Sequence, residues 1–228
     1  MTDPTATKAN QSALNGAEQL TTPIVEGSSH TPRPRHILLV ARALSHILAP
    51  ATVSVPMILL VAFYHAKSTS SALIYAAITL CFACIGPLAY ILLGVRLGKI
   101  SDTDVSKRSE RIGPFIFGLA SLSLGWLVLI LTHCPVVLTT VTFIALVSGL
   151  LMLLITFWWK ISMHASTLAG AATILTVLYG TAMLPTFALV VLVSWARVVL
   201  HRHTVAQVVA GALLSTALSA FILKLRGW

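Results

Sequence analysis

Residues Ile161 to Ala196 read ISMHASTLAGAATILTVLYGTAMLPTFALVVLVSWA, without one Asp, Glu, Lys or Arg. At 1.5 Å per residue a helix of this length would run about 54 Å, well beyond the roughly 30 Å of a bilayer's hydrocarbon core. The run is therefore read as two crossings, Ala165 to Met183 and Leu184 to Leu200, with Gly180 and Pro185 offering the break. Working outward, Leu48 to Ala66, Ser71 to Val95, Pro114 to Thr132, Pro135 to Trp159 and Thr204 to Leu223 are further apolar stretches of spanning length. The expected fold is all-α, a polytopic transmembrane helix bundle of about seven spans. A six-span core is the alternative, because both halves of the central run are short.

Composition agrees. The chain is 57% hydrophobic and 9% charged, with a mean hydropathy of +0.93. A soluble domain carries about 25% charged residues, so this chain has too few to coat a water-facing surface. Residues 1–35 are polar and rich in Thr, Ser, Ala and Pro, and are read as a disordered tail. Residues 36–228 form the membrane-embedded domain. The net charge of +9 does not point to nucleic acid, because the basic residues gather at the ends of apolar spans. Cys81 and Cys84 form a C-x-x-C pair inside an apolar span and Cys134 stands apart, so all three are read as buried thiols.

Counting crossings gives a geometric expectation. The polar break from Arg96 to Gly113, the break at Lys160 and the break after Arg197 are each separated by two spans, so all three emerge on one membrane face. The first contains Asp104, Lys107, Arg108, Glu110 and Arg111, the second Lys160, Ser162 and His164, and the third Arg197, His201, Arg202, His203 and Gln207. Ionisable groups at such depth are expensive to desolvate and are functional candidates. Arginine forks match phosphate oxygens, and Ser162 stands where a helix N-terminus favours an anion. His203 and Gln207 are four residues apart at the start of a span. One ring nitrogen can then bond the amide oxygen while the other is left to attack phosphorus. His164 is the candidate general acid.

These residues resemble the type 2 phosphatidic acid phosphatases, which share a helical core with vanadium haloperoxidases and carry the motifs K-x6-R-P, P-S-G-H and S-R-x5-H-x3-D in that order. Arg197, His203 and Gln207 reproduce the third spacing, with Ala196 for Ser and Gln207 for Asp. Ser162 and His164 fit the second, with Ile161 and Met163 for Pro and Gly. Arg111 matches the arginine of the first, whose lysine falls on Asp104; Lys107 or Arg108 is the substitute cation. The resemblance implies a phosphohistidine on His203, His164 as acid, and Arg197, Ser162, Arg111, Arg108, Lys107 and Lys160 around the phosphate. The implied reaction is metal-independent hydrolysis of a lipid phosphomonoester or diphosphate, with no cofactor, the bilayer as the protein's setting and no nucleic-acid partner. Oligomeric state and the identity of the lipid stay open.

Each candidate also has an ordinary reading. Arg197 and Arg202 suit interfacial anchors, Ser162 suits a helix cap, and Lys160 beside Trp158 and Trp159 suits a snorkelling lysine. Asp104 and Glu110 are expected to pair with neighbouring arginines. Rival functions are a weak or inactive lipid-binding relative, a small anion transporter, and a metal or haem site built on His164, His201 and His203. Twelve of the 15 Lys and Arg residues fall on the motif face in the seven-span count, which expects that face to be cytoplasmic.

Overall fold

A computed structural model of the chain describes residues 34–64 and 66–228. Residues 1–33, read above as a disordered tail, lie outside it. Among the described residues every regular element is helical. Helix α1 (Arg35–Ile47) and α2 (Pro50–Phe63) form a pair bent by 42°, and Pro50 at the start of α2 supplies the break, since its missing N–H is harmless only in a first turn. Next come α3 (Thr69–Leu80), a π-helical turn (Cys81–Ile85) and α4 (Gly86–Arg96), which run on as one span. After the charged loop follow α5 (Ile112–Leu131), α6 (Val136–Thr156), α7 (Met163–Tyr179), α8 (Thr186–Val199) and α9 (Val205–Leu225).

Five helical stretches are long and apolar enough to cross a membrane, and six if the bent α1–α2 pair counts as one. These are the helices of an integral membrane protein. Two details differ from the sequence reading. The first expected span, Leu48 to Ala66, is the second limb of the bent pair, and its first limb is an amphipathic helix packed on α8 through Ala41, Ala196 and Val199. The expected span from Ala165 is α7, which at 17 residues is shorter than each of the five spanning stretches. Cys84 and Cys134 are buried as expected, but Cys81, at the start of the π turn, is exposed.

That turn has a local cause. The Gly86 N–H reaches back to the Cys81 carbonyl, and the next rung would need an N–H from Pro87, which has none. The stranded Phe82 carbonyl instead accepts the hydroxyl of Ser121 on α5 at 2.7 Å.

Helix α7 is the centre of the bundle. Twelve of its residues are buried, many of them Ala or Gly, and small side chains are what let neighbouring helices close on it. A Cβ on Gly170 would lie 2.6 Å from the Ser215 hydroxyl of α9. One on Gly211 of α9 would lie 2.7 Å from the Ser162 carbonyl. These two contacts seat the start of α7 against the start of α9.

Candidate active site

The three polar breaks converge, and specific bonds tie them. Arg197, at the end of α8, donates from Nη1 to the Asp104 carboxylate at 2.7 Å and to the Ser45 hydroxyl of α1 at 2.8 Å. Arg111 donates from Nε to the Val105 carbonyl at 2.9 Å and from Nη1 to the Ile161 carbonyl at 3.3 Å. Arg108 donates to the Trp158 carbonyl, Arg202 to the Ser106 hydroxyl, and the Ser162 N–H to the Gln207 carbonyl. Loop, α7 start and α9 start are therefore one assembly.

Below this assembly lies a cavity of about 400 Å³ between the helices. Its head is lined by His164, His203, Arg197, Arg111 and Asp104. Its walls are apolar, drawn from α2, the π turn and α4, α5, α6 and α7, with Met57, Pro87, Phe115 and Met152 among them. The face of α7 that carries His164, Thr167, Ala171 and Ile174 descends about 15 Å along it. A second, polar cavity of about 300 Å³ adjoins on the loop side, lined by Arg42, Ser45, His46, Asp102, Asp104 and Arg202 among others. Asp104 borders both.

Two buried polar atoms at the head have no hydrogen-bond partner among the described residues: His164 Nε2 and Arg197 Nε. His164 is 7% and Arg197 2% exposed. A buried donor or acceptor left unpaired costs about 1–3 kcal/mol, and a partner for either atom would recover that cost. Arg197 and the Arg111 guanidinium make the head a cationic seat.

His203 stands in the short loop between α8 and α9, 6% exposed. Its Nδ1 lies 3.2 Å from Gln207 Oε1, the four-residue pairing expected from sequence. The same amide oxygen accepts the Thr204 N–H at 3.1 Å, and the Thr204 hydroxyl accepts the Gln207 N–H, a capping box that opens α9. Gln207 is thereby fixed, and it fixes the ring. Burial, then repulsion from Arg197, Arg111 and Lys160, pushes the His203 imidazole down to about 3, with the Gln207 bond only partly offsetting them. The ring is neutral at neutral pH. Lys160 is half-buried, and its pKa is lowered by burial and then by Arg111, Arg197 and Arg202.

Of the other sequence candidates, Ser162 is fully buried and caps α7, its hydroxyl accepting the Ala165 N–H at 3.5 Å. Lys107 is turned to solvent and pairs with Glu110 at 3.1 Å, and Arg108 clasps the Trp158 carbonyl. None of these three is among the residues that line the cavity head. Glu110 thus pairs with a lysine rather than an arginine, and its carboxyl is held down at about 2 chiefly by hydrogen bonds from Ser101.

The sequence reading missed two features. Ser45 holds Arg197 from a helix placed outside the motif region, and no local pattern marks it. Asp104 reaches Arg197, 93 residues away, rather than a neighbouring arginine. Burial alone would raise the Asp104 carboxyl; the hydrogen bond and charge of Arg197, helped by His164 and Arg202, outweigh it and hold the pKa below the ordinary carboxylate value. The aspartate in the lysine position of the first motif was the available signal.

Comparison with known proteins adds no relative: no protein-family model, curated protein or solved structure matches this chain.

Proposed function

We propose that this membrane protein hydrolyses a phosphomonoester or diphosphate of a lipid through a phosphohistidine on His203, in the manner of the type 2 phosphatidic acid phosphatases. The observation that carries the reading is the cavity head. It unites two imidazoles and two arginines from three distant segments and leaves His164 Nε2 and Arg197 Nε buried and unpaired.

The chemistry follows from the geometry. With Nδ1–H donating to Gln207, the Nε2 lone pair of neutral His203 attacks phosphorus. A P–N bond forms as the P–O bond to the lipid breaks, and His164 delivers a proton to the departing oxygen, a proton that the bound anionic head must hold on the ring against burial and the charge of Arg197. Arg197 and Arg111 stabilise the charge that builds on the equatorial oxygens. Water then attacks the phosphohistidine, His164 takes its proton, and inorganic phosphate leaves. The apolar walls give a lipid's chain a place inside the bundle next to its reacting head. The basic bias of the motif face supports a cytoplasmic site in a multi-pass protein.

The test is phosphate release from phosphatidate, phosphatidylglycerophosphate and a polyprenyl diphosphate by the purified protein, with chelator present. Turnover that vanadate inhibits and His203→Ala abolishes is the expected result. Undiminished turnover by His203→Ala removes the nucleophile from the scheme. One observation favours a second reading, a lipid-phosphate binder of little or no activity: Gln207 orients His203 but carries no charge to stabilise it once cationic. In that case phosphate binds while no lipid of the panel is cleaved.

A further inference from the structure

The seat contains its own anion. Asp104 engages only Nη1 of Arg197 and leaves Nε without a partner, so the carboxylate does not occupy every donor of the guanidinium. It is held there firmly. The Asp104 N–H donates to the Asp102 carboxylate at 2.9 Å, and the Ser106 hydroxyl donates to the same oxygen at 3.0 Å. Val105 takes a left-handed backbone conformation with φ at 46°, and its carbonyl is clasped by Arg111. Two of the seat's cations are thus tied to the loop that presents the carboxylate. Asp104 also forms part of the wall between the apolar cavity and the polar one, with Ser45 and Arg202 on the far side.

We propose that Asp104 tunes the charge the seat prefers: the fixed carboxylate beside Arg197 takes twice as much binding energy from a doubly charged head group as from a singly charged one, and so shifts the preference towards the single charge. The inference rests on the phosphate reading of this site. At the cavity head Arg111 and Arg197 bring two positive charges and Asp104 removes one, where the resembling motif would place a lysine. A monoanion meets a net attraction there. A dianion feels both the attraction of the cations and the repulsion of the carboxylate doubled, since Coulomb energy is linear in the ligand's charge, so the carboxylate takes twice as much from its binding.

That linearity gives a test without an absolute scale. Inorganic phosphate at pH 8, mostly dianionic, and dimethyl phosphate, a monoanion, are titrated against the full-length protein in detergent. The wild type is compared with Asp104→Asn. Both anions bind the variant more tightly, and the factor gained by phosphate is about the square of that gained by dimethyl phosphate, for example a hundredfold against tenfold. Ser45→Ala, which removes the other Arg197 partner without changing charge, alters both affinities by one common factor. Asp104→Ser serves as a second, smaller replacement should the asparagine variant not fold, with the same expectation. Equal factors for the two anions in the Asp104 variants, or none, overturn the charge selection while leaving phosphate binding intact. Failure of every variant to bind either anion overturns it together with the phosphate reading.

Discussion

Replacing Gly211 by alanine tests how the start of α7 is seated. The added Cβ would lie 2.7 Å from the Ser162 carbonyl and 3.5 Å from Ile161 Cγ1. The nearer atom belongs to the backbone and has no rotamer to escape into. Ser162 is also tied to α9 by its N–H bond to the Gln207 carbonyl and caps α7 through its hydroxyl. Overpacking against such an atom costs about 1–3 kcal/mol. For a chain of this size that lowers the melting temperature by roughly 2–12 °C relative to an unobstructed helical Gly→Ala change, which carries the same gain of helix propensity. Gly118→Ala is the control: its Cβ meets only Pro87 at 4.0 Å, so it loses nothing to overpacking. On α5 it gains about 1 kcal/mol of helix propensity. Both variants are melted in the same detergent, and phosphate release is measured below either transition. Gly211→Ala should melt lower and turn over more slowly, because α9 carries Gln207 and α7 carries His164. If it melts with Gly118→Ala, the close approach of α9 to Ser162 is wrong and the seating argument fails.

Gln207→Asp should raise the His203 pKa by placing a carboxylate where the amide oxygen now sits. Turnover should increase, and its acid limb should move to higher pH. An unchanged pH profile would show that residue 207 does not orient the nucleophile. Stability should fall with acid in a defined window: the folded His203 resists protonation down to about 3, whereas the unfolded ring accepts a proton near 6.5. Below about 6.5 protons therefore favour the unfolded chain, and melting temperature should drop between pH 7 and 4, less steeply in His203→Gln; parallel slopes would contradict the burial of that ring. Arg111→Gln removes hydrogen bonds from a buried cation to the Val105 and Ile161 carbonyls, each worth about 1.5–3 kcal/mol. Limited proteolysis should then cut the loop between α4 and α5, and protection equal to wild type would count against the clasp. Tags at residues 1 and 228 should be accessible from opposite sides of the membrane if α7 crosses it; accessibility from one side would mean an even number of crossings.

The sequence by itself determined the solvent and the element type. Long uncharged runs leave a bilayer no alternative but helices, because backbone groups in hydrocarbon must bond within their own segment. It also pointed to the His203–Gln207 pairing, though for another reason than a shared helix face: His203 precedes the N-cap Thr204, and the capping box that turns the Gln207 side chain back brings its amide oxygen to the ring. Convergence of the three breaks followed from counting crossings, a topological argument that needs no contacts. Tertiary structure alone decided what each charge does there. Lys107, Arg108 and Arg111 sit within five residues of one another, yet one pairs with Glu110, one clasps Trp158, and one lies buried at the cavity head. Their spacing is silent on this, because partners 50 or more residues away set the outcome. The same holds for Asp104, whose partner is chosen by the approach of α8 to the loop. The cavity too is a property of packing, bordered by several helices and the π turn, and no single segment encodes a void.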